Sequence, residues 1–300
     1  METTSLLYHA LRDETGKYVL EQGMPRLLDL YDKFDIKTTF FYTAHIAKLY
    51  PEVVKMAFDR GHEIGSHGYN HSVDNAFDRL TDKEVNEHLK RSKDTLQQII
   101  GEEIISFRAP ALRVKKGISR NLLENGFKID SSVASQRLDM FMSFGSKHKL
   151  HWIYSPRSMY FASTENIFKK GESTLLEIPV TSHGLPYIGT LMRVSPILLR
   201  SIRPFILLEK KIFDRHVNFL THPNEFIDEP LEHEIRVQKR SKNPVSYLLG
   251  DVLRHKLKIK NLGQKALPLY EKEILFLQKN GFNFQRMKDI YKEKVKNHAR

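Results

Sequence analysis

Apolar positions along the chain alternate between short runs and longer amphipathic stretches. Runs of β-branched and aromatic residues, such as "KTTFFYT" at 37–43 and "VNFLTH" at 217–222, predict buried strands. Between such runs come stretches with helical spacing, and "GMPRLLDLYDKFD" at 23–35 places Leu27, Leu28 and Tyr31 on one face. Strands that alternate with helices predict an α/β fold with parallel strands.

Local signals set the boundaries of several elements. "SLLYHAL" at 5–11 predicts the first strand, and Thr81 with Glu84 forms a capping box for a long helix that ends near Ile100. The stretch 195–213, "SPILLRSIRPFILLEKKIF", reads as a helix pair broken at Pro204, and 266–281 as the last helix. Further strands are predicted in "HEIGSH", "IISFRAP", "FKIDSSV" and "LLEIPV". Because barrels often use this length as one domain, we expect a single domain over 1–300.

Composition and charge limit the possible metal ligands and binding partners. The chain of 300 residues has no cysteine, so a metal ion must be held by His, Asp or Glu. The net charge of +12 favours anionic partners, but no nucleic-acid-binding motif is found, so we expect no nucleic-acid partner. Most of this charge is expected to lie on a face that is exposed to solvent. The stretch 195–213 mixes Arg and Lys with Ile, Leu and Phe. It could make peripheral contact with an anionic membrane, or it could be an ordinary helix pair that covers the barrel.

The amino-terminal stretch "METTSLLYHALRDE" has neither a basic start nor a long apolar run. No stretch approaches the roughly 20 apolar residues that span a bilayer. The expectation is a cytoplasmic protein without a membrane span.

Polar residues stand where predicted strands end, which is where α/β folds carry their chemistry. His67 and His71 are four apart after "HEIG" and could bind a divalent ion together, or be two polar loop histidines. His222 could act as a general acid, or it could be a capped, partly buried histidine with a structural role. Arg108 and Asp130 suit either a supporting salt bridge or a pair that orients a catalytic group.

Taken in order, "KTTFF", "GHEIGSHGYNH", "FRAP", "IDSS" and "FLTHPNEF" resemble the motifs of the polysaccharide deacetylase family, the NodB-homology or carbohydrate esterase family four. The resemblance runs from about Gly23 to Phe284. It implies a distorted (β/α)7 barrel that removes acetyl groups from sugars with a divalent metal, for which zinc is best suited. It also implies that His67 and His71 are metal ligands and His222 the acid for the leaving amine. Arg108 would orient the base and Asp130 the acid.

The family's first motif ends in a pair of aspartates that supply the base and the third ligand, and "SLLYHALRDETG" lacks this pair. Three interpretations stay open. His9 is the third ligand, with Asp13, Glu14 or a metal-bound hydroxide as the base; or Asp13 is the ligand and His9 is structural. In the third, the metal or the base is lost and the protein only binds sugar.

The resemblance is closest to unsecreted members, some of which deacylate lipid-linked sugars. We therefore expect a metal-dependent hydrolase that removes an acetyl or formyl group from a sugar or glycan. The alternatives are a catalytically silent glycan-binding barrel and a scaffold in envelope glycan assembly that docks a partner through 195–213.

Overall fold

A mainly parallel β-sheet with helices packed around it organises the chain, and this confirms the predicted α/β class. The computed structural model describes residues 2–138, 147–213, 215–231 and 252–298. The strands are β1 (Thr4–Ser5), β2 (Ala10–Leu11), β3 (Thr39–Tyr42), β4 (Glu63–Ser66), β5 (Ser106–Phe107), β6 (Ile129–Asp130), β7 (Tyr160–Phe161), β8 (Leu176–Glu177), β9 (Ser182–His183) and β10 (Leu185–Pro186).

Helices follow most strands and cover the sheet. They are α1 (Asp13–Tyr18), α2 (Met24–Lys33), α3 (Ala44–Leu49), α4 (Pro51–Asp59), α5 (Asp82–Ile100), α6 (Ile118–Glu124), α7 (Gly189–Val194), α8 (Pro196–Phe213), α9 (Leu253–Lys258), α10 (Leu267–Lys279) and α11 (Met287–His298). A π-helical segment, Val19–Gly23, joins α1 to α2, and short 3₁₀ turns cover Pro110–Leu112, Lys147–Ile153, Pro223–Phe226 and Gly263–Lys265. No helix of the described residues is long and apolar enough to cross a membrane.

The main sheet has the strand order β3-β4-β5-β6-β8-β7, parallel except for the edge strand β7. Outside this sheet, an isolated parallel bridge joins Ile188 and Leu220. Strand pairing within the described residues does not close a ring. The carboxyl ends of β4, β5 and β6 nevertheless lie side by side, so the residues that follow them share one edge.

Several predicted boundaries agree with the structure. The capping box of Thr81 and Glu84 is present at the start of α5, and the helical stretch 44–59 is divided at Pro51. The predicted helix at 23–35 is found as α2, with Pro25 in its first turn. Local polar and proline signals therefore fixed these ends reliably.

Four expectations were wrong. Residues 5–11 are not one strand but a hairpin in which β1 pairs antiparallel with β2, and His9 in the turn has φ 53°. In 217–222 only the bridge at Leu220 forms. Helix α8 continues through Pro204, because a proline within a helix that packs along its length can be accommodated. The helix at 267–279 is not the last, since α11 follows it.

Candidate active site

A tight turn after β4 brings His67 and His71 together. His67 donates its backbone N–H to the carbonyl of Tyr42 and so continues the register of β3 and β4. Gly68 follows with φ +72°, and a Cβ there would come within 2.8 Å of the Phe77 ring. Only glycine fits this turn without strain. The turn leaves the centroids of the two imidazole rings 5.7 Å apart.

The ring of His67 is held by the neighbouring strand. Its Nδ1 donates to the carbonyl oxygen of Arg108, which leaves Nε2 with its lone pair. The side chain is 6% exposed, and burial lowers the pKa of His67 well below its ordinary value. His67 is therefore a neutral imidazole with a fixed tautomer, which is the state that binds metals.

The second histidine, His71, is held from both ring nitrogens. The backbone N–H of Ala111 donates to Nε2 at 3.2 Å, and Nδ1 lies 3.1 Å from Oε2 of Glu2. Ala111 has φ 52°, in the left-handed region, so the "FRAP" turn carries backbone strain at this contact. Burial lowers the pKa of His71, although Glu2 opposes the effect. In the neutral ring the proton sits on Nδ1, facing the carboxylate.

Glu2 was not among the residues predicted from the sequence. It is 7% exposed, and its Oε2 accepts no hydrogen bond in the described part of the chain although it faces His71. A buried carboxylate oxygen is costly unless a proton or a cation sits beside it. One sequence signal could have found it, because Glu2 is the only acidic residue before Asp13.

His222 lies on the same cavity and has its own carboxylate. The 3₁₀ turn that follows brings Glu225 back, so that its Oε1 lies 3.9 Å from His222 Nδ1. That separation exceeds a hydrogen bond, so the interaction is electrostatic. The arrangement places a carboxylate next to a histidine that could donate a proton. The spacing "HPNE" in the sequence is the signal for this pair.

Glu225 is held as an anion by a built pocket. It is 1% exposed, lies 3.3 Å from Nη2 of Arg193, and accepts hydrogen bonds from Thr190 and Thr221. A Cβ on Gly189 would come within 2.3 Å of Glu225 Oε2, so this close approach requires glycine. Burial opposes ionisation, but Arg193, the nearby His222 and Thr221 outweigh it and lower the pKa of Glu225 to about 2.

This lowered pKa predicts a pH dependence of stability. A group with a depressed folded pKa stabilises the native state above its unfolded pKa and loses that contribution as the pH falls through the folded value. We expect wild type to exceed Glu225→Gln in free energy of unfolding at neutral pH, with the difference shrinking between about pH 4.5 and about pH 2. Urea denaturation followed by circular dichroism measures it. The exposed Glu21→Gln change is the control, and a pH-independent difference would contradict the prediction.

Arg108 and Asp130 lie close together but do not form an ion pair within the described residues. The Arg108 guanidinium donates to the carbonyl and hydroxyl of Ser131 and to Asn218. Burial lowers the pKa of Arg108 to about 10, so it remains charged at neutral pH. Its carbonyl, rather than its side chain, contacts His67. Arg108 therefore lines the site and fixes the orientation of one histidine.

Asp130 acts through the loop after β6. It accepts hydrogen bonds from the hydroxyl and N–H of Ser132, and the Ser132 hydroxyl in turn accepts from the N–H of Ala109. Strand register places Asp130 beside Glu177, and burial raises the pKa of both carboxyl groups. The carboxylate next to His222 is Glu225, so the role of Asp130 toward that histidine stays a prediction.

The two proposed third ligands lie elsewhere. His9 stands in the β1–β2 turn, where its ring centroid is 4.5 Å from that of His255. Asp13 begins α1 and pairs with Nε2 of His45 at 2.8 Å, and Glu14 lies 3.8 Å from Arg12. Neither His9 nor Asp13 is among the described residues that line the cavity. The structure thus brings together His67, His71, Arg108 and His222, and adds Glu2.

These side chains line a cavity of about 400 Å³. Within the described residues no three potential ligands converge into a complete metal site. The donor set still fits a divalent ion, because two neutral imidazoles and one carboxylate are the ligands of some hydrolytic zinc centres. The buried Oε2 of Glu2 beside His71 Nδ1 supports the same fit. A metal ion bound at Nδ1 would require the ring proton of His71 to move to Nε2, which would end the hydrogen bond from the Ala111 N–H.

Part of the chain is similar to proteins of known family. Residues 13–129 match the family model described as "Polysaccharide deacetylase". The likeness to this family covers less than half of the chain. A peptidoglycan deacetylase of Helicobacter pylori is 33% identical over 118 residues, which cover 39% of this chain and 39% of that protein. A peptidoglycan-N-acetylglucosamine deacetylase of Bacillus cereus is 29% identical over 125 residues, or 41% and 43% of the two chains. The chain thus spans about two fifths of the curated relatives it matches.

Solved structures extend the likeness to the whole fold. A probable polysaccharide deacetylase from Pseudomonas aeruginosa PAO1 superposes with a TM-score of 0.60 and 16% identity, covering 99% of this chain and 83% of that one. The allantoinase Puue gives a TM-score of 0.57 at 17% identity, covering 92% and 73%. At these identities the likeness concerns the fold alone, and it confirms the predicted distorted barrel type.

Proposed function

We propose that the protein is a metal-dependent hydrolase that removes an acetyl or formyl group from the nitrogen of a sugar or glycan. One observation carries the proposal. His67 and His71, both neutral, share one cavity with a buried carboxylate and with a histidine that is backed by an ionised carboxylate. The match of residues 13–129 to the polysaccharide deacetylase model supports sugar deacetylation, and the relatives named as peptidoglycan deacetylases favour N-acetylated amino sugars as substrates.

Each side chain then has a role. His67, His71 and Glu2 would hold the divalent ion, for which zinc is the best-suited candidate, and the bound ion would polarise the acyl carbonyl and lower the pKa of water. Arg108 fixes the tautomer of His67 through its carbonyl. His222, whose Nδ1 lies 3.9 Å from Glu225, donates a proton to the departing nitrogen. Asp130 positions the "FRAP" turn through Ser132.

The third metal ligand and the base are also matters of proposal. His9 as a third ligand and Asp13 as a ligand or base stay predictions, and each would require the hairpin or α1 to move toward the cavity. Glu2 needs no such movement, because its Oε2 already lies 3.1 Å from His71. It therefore has the strongest claim among the three to the third ligand position.

Removing the acid tests the reaction most directly. We expect His222→Gln to lower kcat for an N-acetylated glycan oligomer by about 10²- to 10⁴-fold, the usual contribution of a general acid, with little change in KM. Release of acetate from N-acetylglucosamine oligomers, with zinc supplied, measures it. His45→Gln, which changes a histidine outside the cavity, is the matched control. Unchanged kcat in His222→Gln would contradict the assignment.

A glycan-binding protein without turnover is the second candidate, and one observation favours it. Among the described residues that line the cavity, Glu2 is the only carboxylate beside the two histidines, and one group cannot serve fully as both ligand and base. Calorimetry that detects binding of the same oligomers to zinc-loaded protein, together with no acetate release, would establish this candidate instead.

A further inference from the structure

Helix α8 buries one face and holds it with polar contacts. Leu199, Ile202 and Ile206 lie in the core. Arg203 forms an ion pair with Glu273, and Lys210 donates to carbonyls at the end of α10. The helix is therefore anchored in a fixed rotation, and its opposite face must point to solvent.

That opposite face is apolar. Five large side chains on it are exposed: Ile197, Leu198, Phe205, Leu208 and Ile212. Ile197 is 78% exposed and the other four are 47–58% exposed. At 100° per residue, their spacing places all five within roughly 100° of the helix circumference. These five side chains, with the exposed Ser201 between Leu198 and Phe205, are here called the α8 stripe. Soluble surfaces seldom expose so many large apolar side chains on one side of a helix without using them.

Positive charge lies beside the stripe. Arg200 and Lys211, both exposed, are three helical turns apart on the same flank. Neither has an ion pair among the residues that the structure describes. Glu209 is the only acidic residue of α8, and ion pairs with Arg157 and Arg215 hold its charge. The charge left free along the exposed side is cationic.

We propose that the α8 stripe docks the protein peripherally on an anionic phospholipid bilayer. Apolar side chains would enter the headgroup boundary while Arg200 and Lys211 contact lipid phosphates, the arrangement of interfacial helices. The net charge of +12 favours the same approach. A second copy is a poorer occupant, since an antiparallel twofold contact along the stripe would place the two cationic flanks side by side. This inference does not depend on the proposed hydrolysis.

Vesicle co-sedimentation with the full chain tests the proposal. Wild type should pellet with vesicles of phosphatidylcholine mixed with phosphatidylglycerol, and far less with phosphatidylcholine alone. Arg200→Gln with Lys211→Gln should weaken binding about 30-fold, because each basic side chain contributes about fivefold at an anionic surface. Phe205→Ser with Ile212→Ser should weaken binding to both vesicle types.

Matched controls distinguish binding through the α8 stripe from the effects of net charge and of exposed apolar side chains elsewhere. Lys55→Gln with Lys90→Gln removes the same charge from other exposed helix faces, and Val73→Ser removes an exposed apolar side chain elsewhere. Both should bind like wild type, and circular dichroism should show every variant folded. Equal loss in stripe and control variants overturns the proposal. The proposal is also overturned if wild type stays in the supernatant at low salt. It is overturned as well if wild type forms a dimer and the Phe205→Ser with Ile212→Ser variant is monomeric.

Discussion

Replacing His67 and His71 together by alanine is expected to lower kcat/KM for an N-acetylated glycan by at least about 10³-fold. A metal that polarises the acyl carbonyl contributes several kcal/mol to the transition state, and each tenfold in rate corresponds to about 1.4 kcal/mol. The two imidazoles supply two of the three proposed ligands, so the change should remove bound zinc as well. Acetate release and elemental analysis of the same preparations measure both effects.

The matched control changes two histidines outside the cavity lining, His45→Ala with His148→Ala. It should keep its zinc and its activity. Because His67 is buried and bonded to the Arg108 carbonyl, thermal unfolding must show that the double variant is folded. His71→Gln alone provides a gentler second test. Full activity or undiminished zinc in a folded double variant would exclude a metal site at this turn.

Sequence patterns predicted much of the fold because the signals were local. Pro25, Pro51 and the Thr81–Glu84 capping box act within a few residues of the helix ends that they define. The strand-end position of His67 followed from the same logic, since "HEIG" is a buried strand that ends in a turn. These features need no knowledge of distant contacts.

The errors arose where distant contacts decide the conformation. Pro204 would break an isolated helix, but α8 is held along its length by the core and by Glu273 of α10. The run at 5–11 has strand-forming residues, yet the turn at His9 folds it back on itself. Neither the packing of α8 nor the hairpin pairing can be read from a single stretch of sequence.

The carboxylates of the site show the same limit. The role of Asp130 toward His222 comes from the family resemblance and stays a prediction. The fold adds a carboxylate that the sequence analysis did not name, because the 3₁₀ turn after His222 brings in Glu225, and Arg193, from a different helix, stabilises its charge. Pairing of charges across elements depends on side-chain reach, which spacing alone does not determine.

The identity of the third ligand can be decided by three parallel substitutions. We expect Glu2→Ala to lose zinc under conditions where wild type keeps one equivalent, and to lose about 10³-fold or more in kcat/KM. The reason is geometric, because Glu2 is the carboxylate that faces His71, at 3.1 Å. His9→Ala and Asp13→Asn change residues that contact His255 and His45 instead, so both should keep zinc and most activity. Zinc titration by calorimetry, with acetate release, compares the three.

Each other outcome points to a different site. Zinc loss confined to His9→Ala would mean that the hairpin turns toward the cavity to form a three-histidine centre. Loss confined to Asp13→Asn would mean that α1 supplies the carboxylate, at the expense of its pair with His45. Should Glu2→Ala bind zinc normally but lose its activity, Glu2 would be the base rather than a ligand, because a base is needed for turnover but not for holding the ion. Glu2→Gln separates charge from size in that case, since it keeps an oxygen ligand but cannot accept a proton at neutral pH.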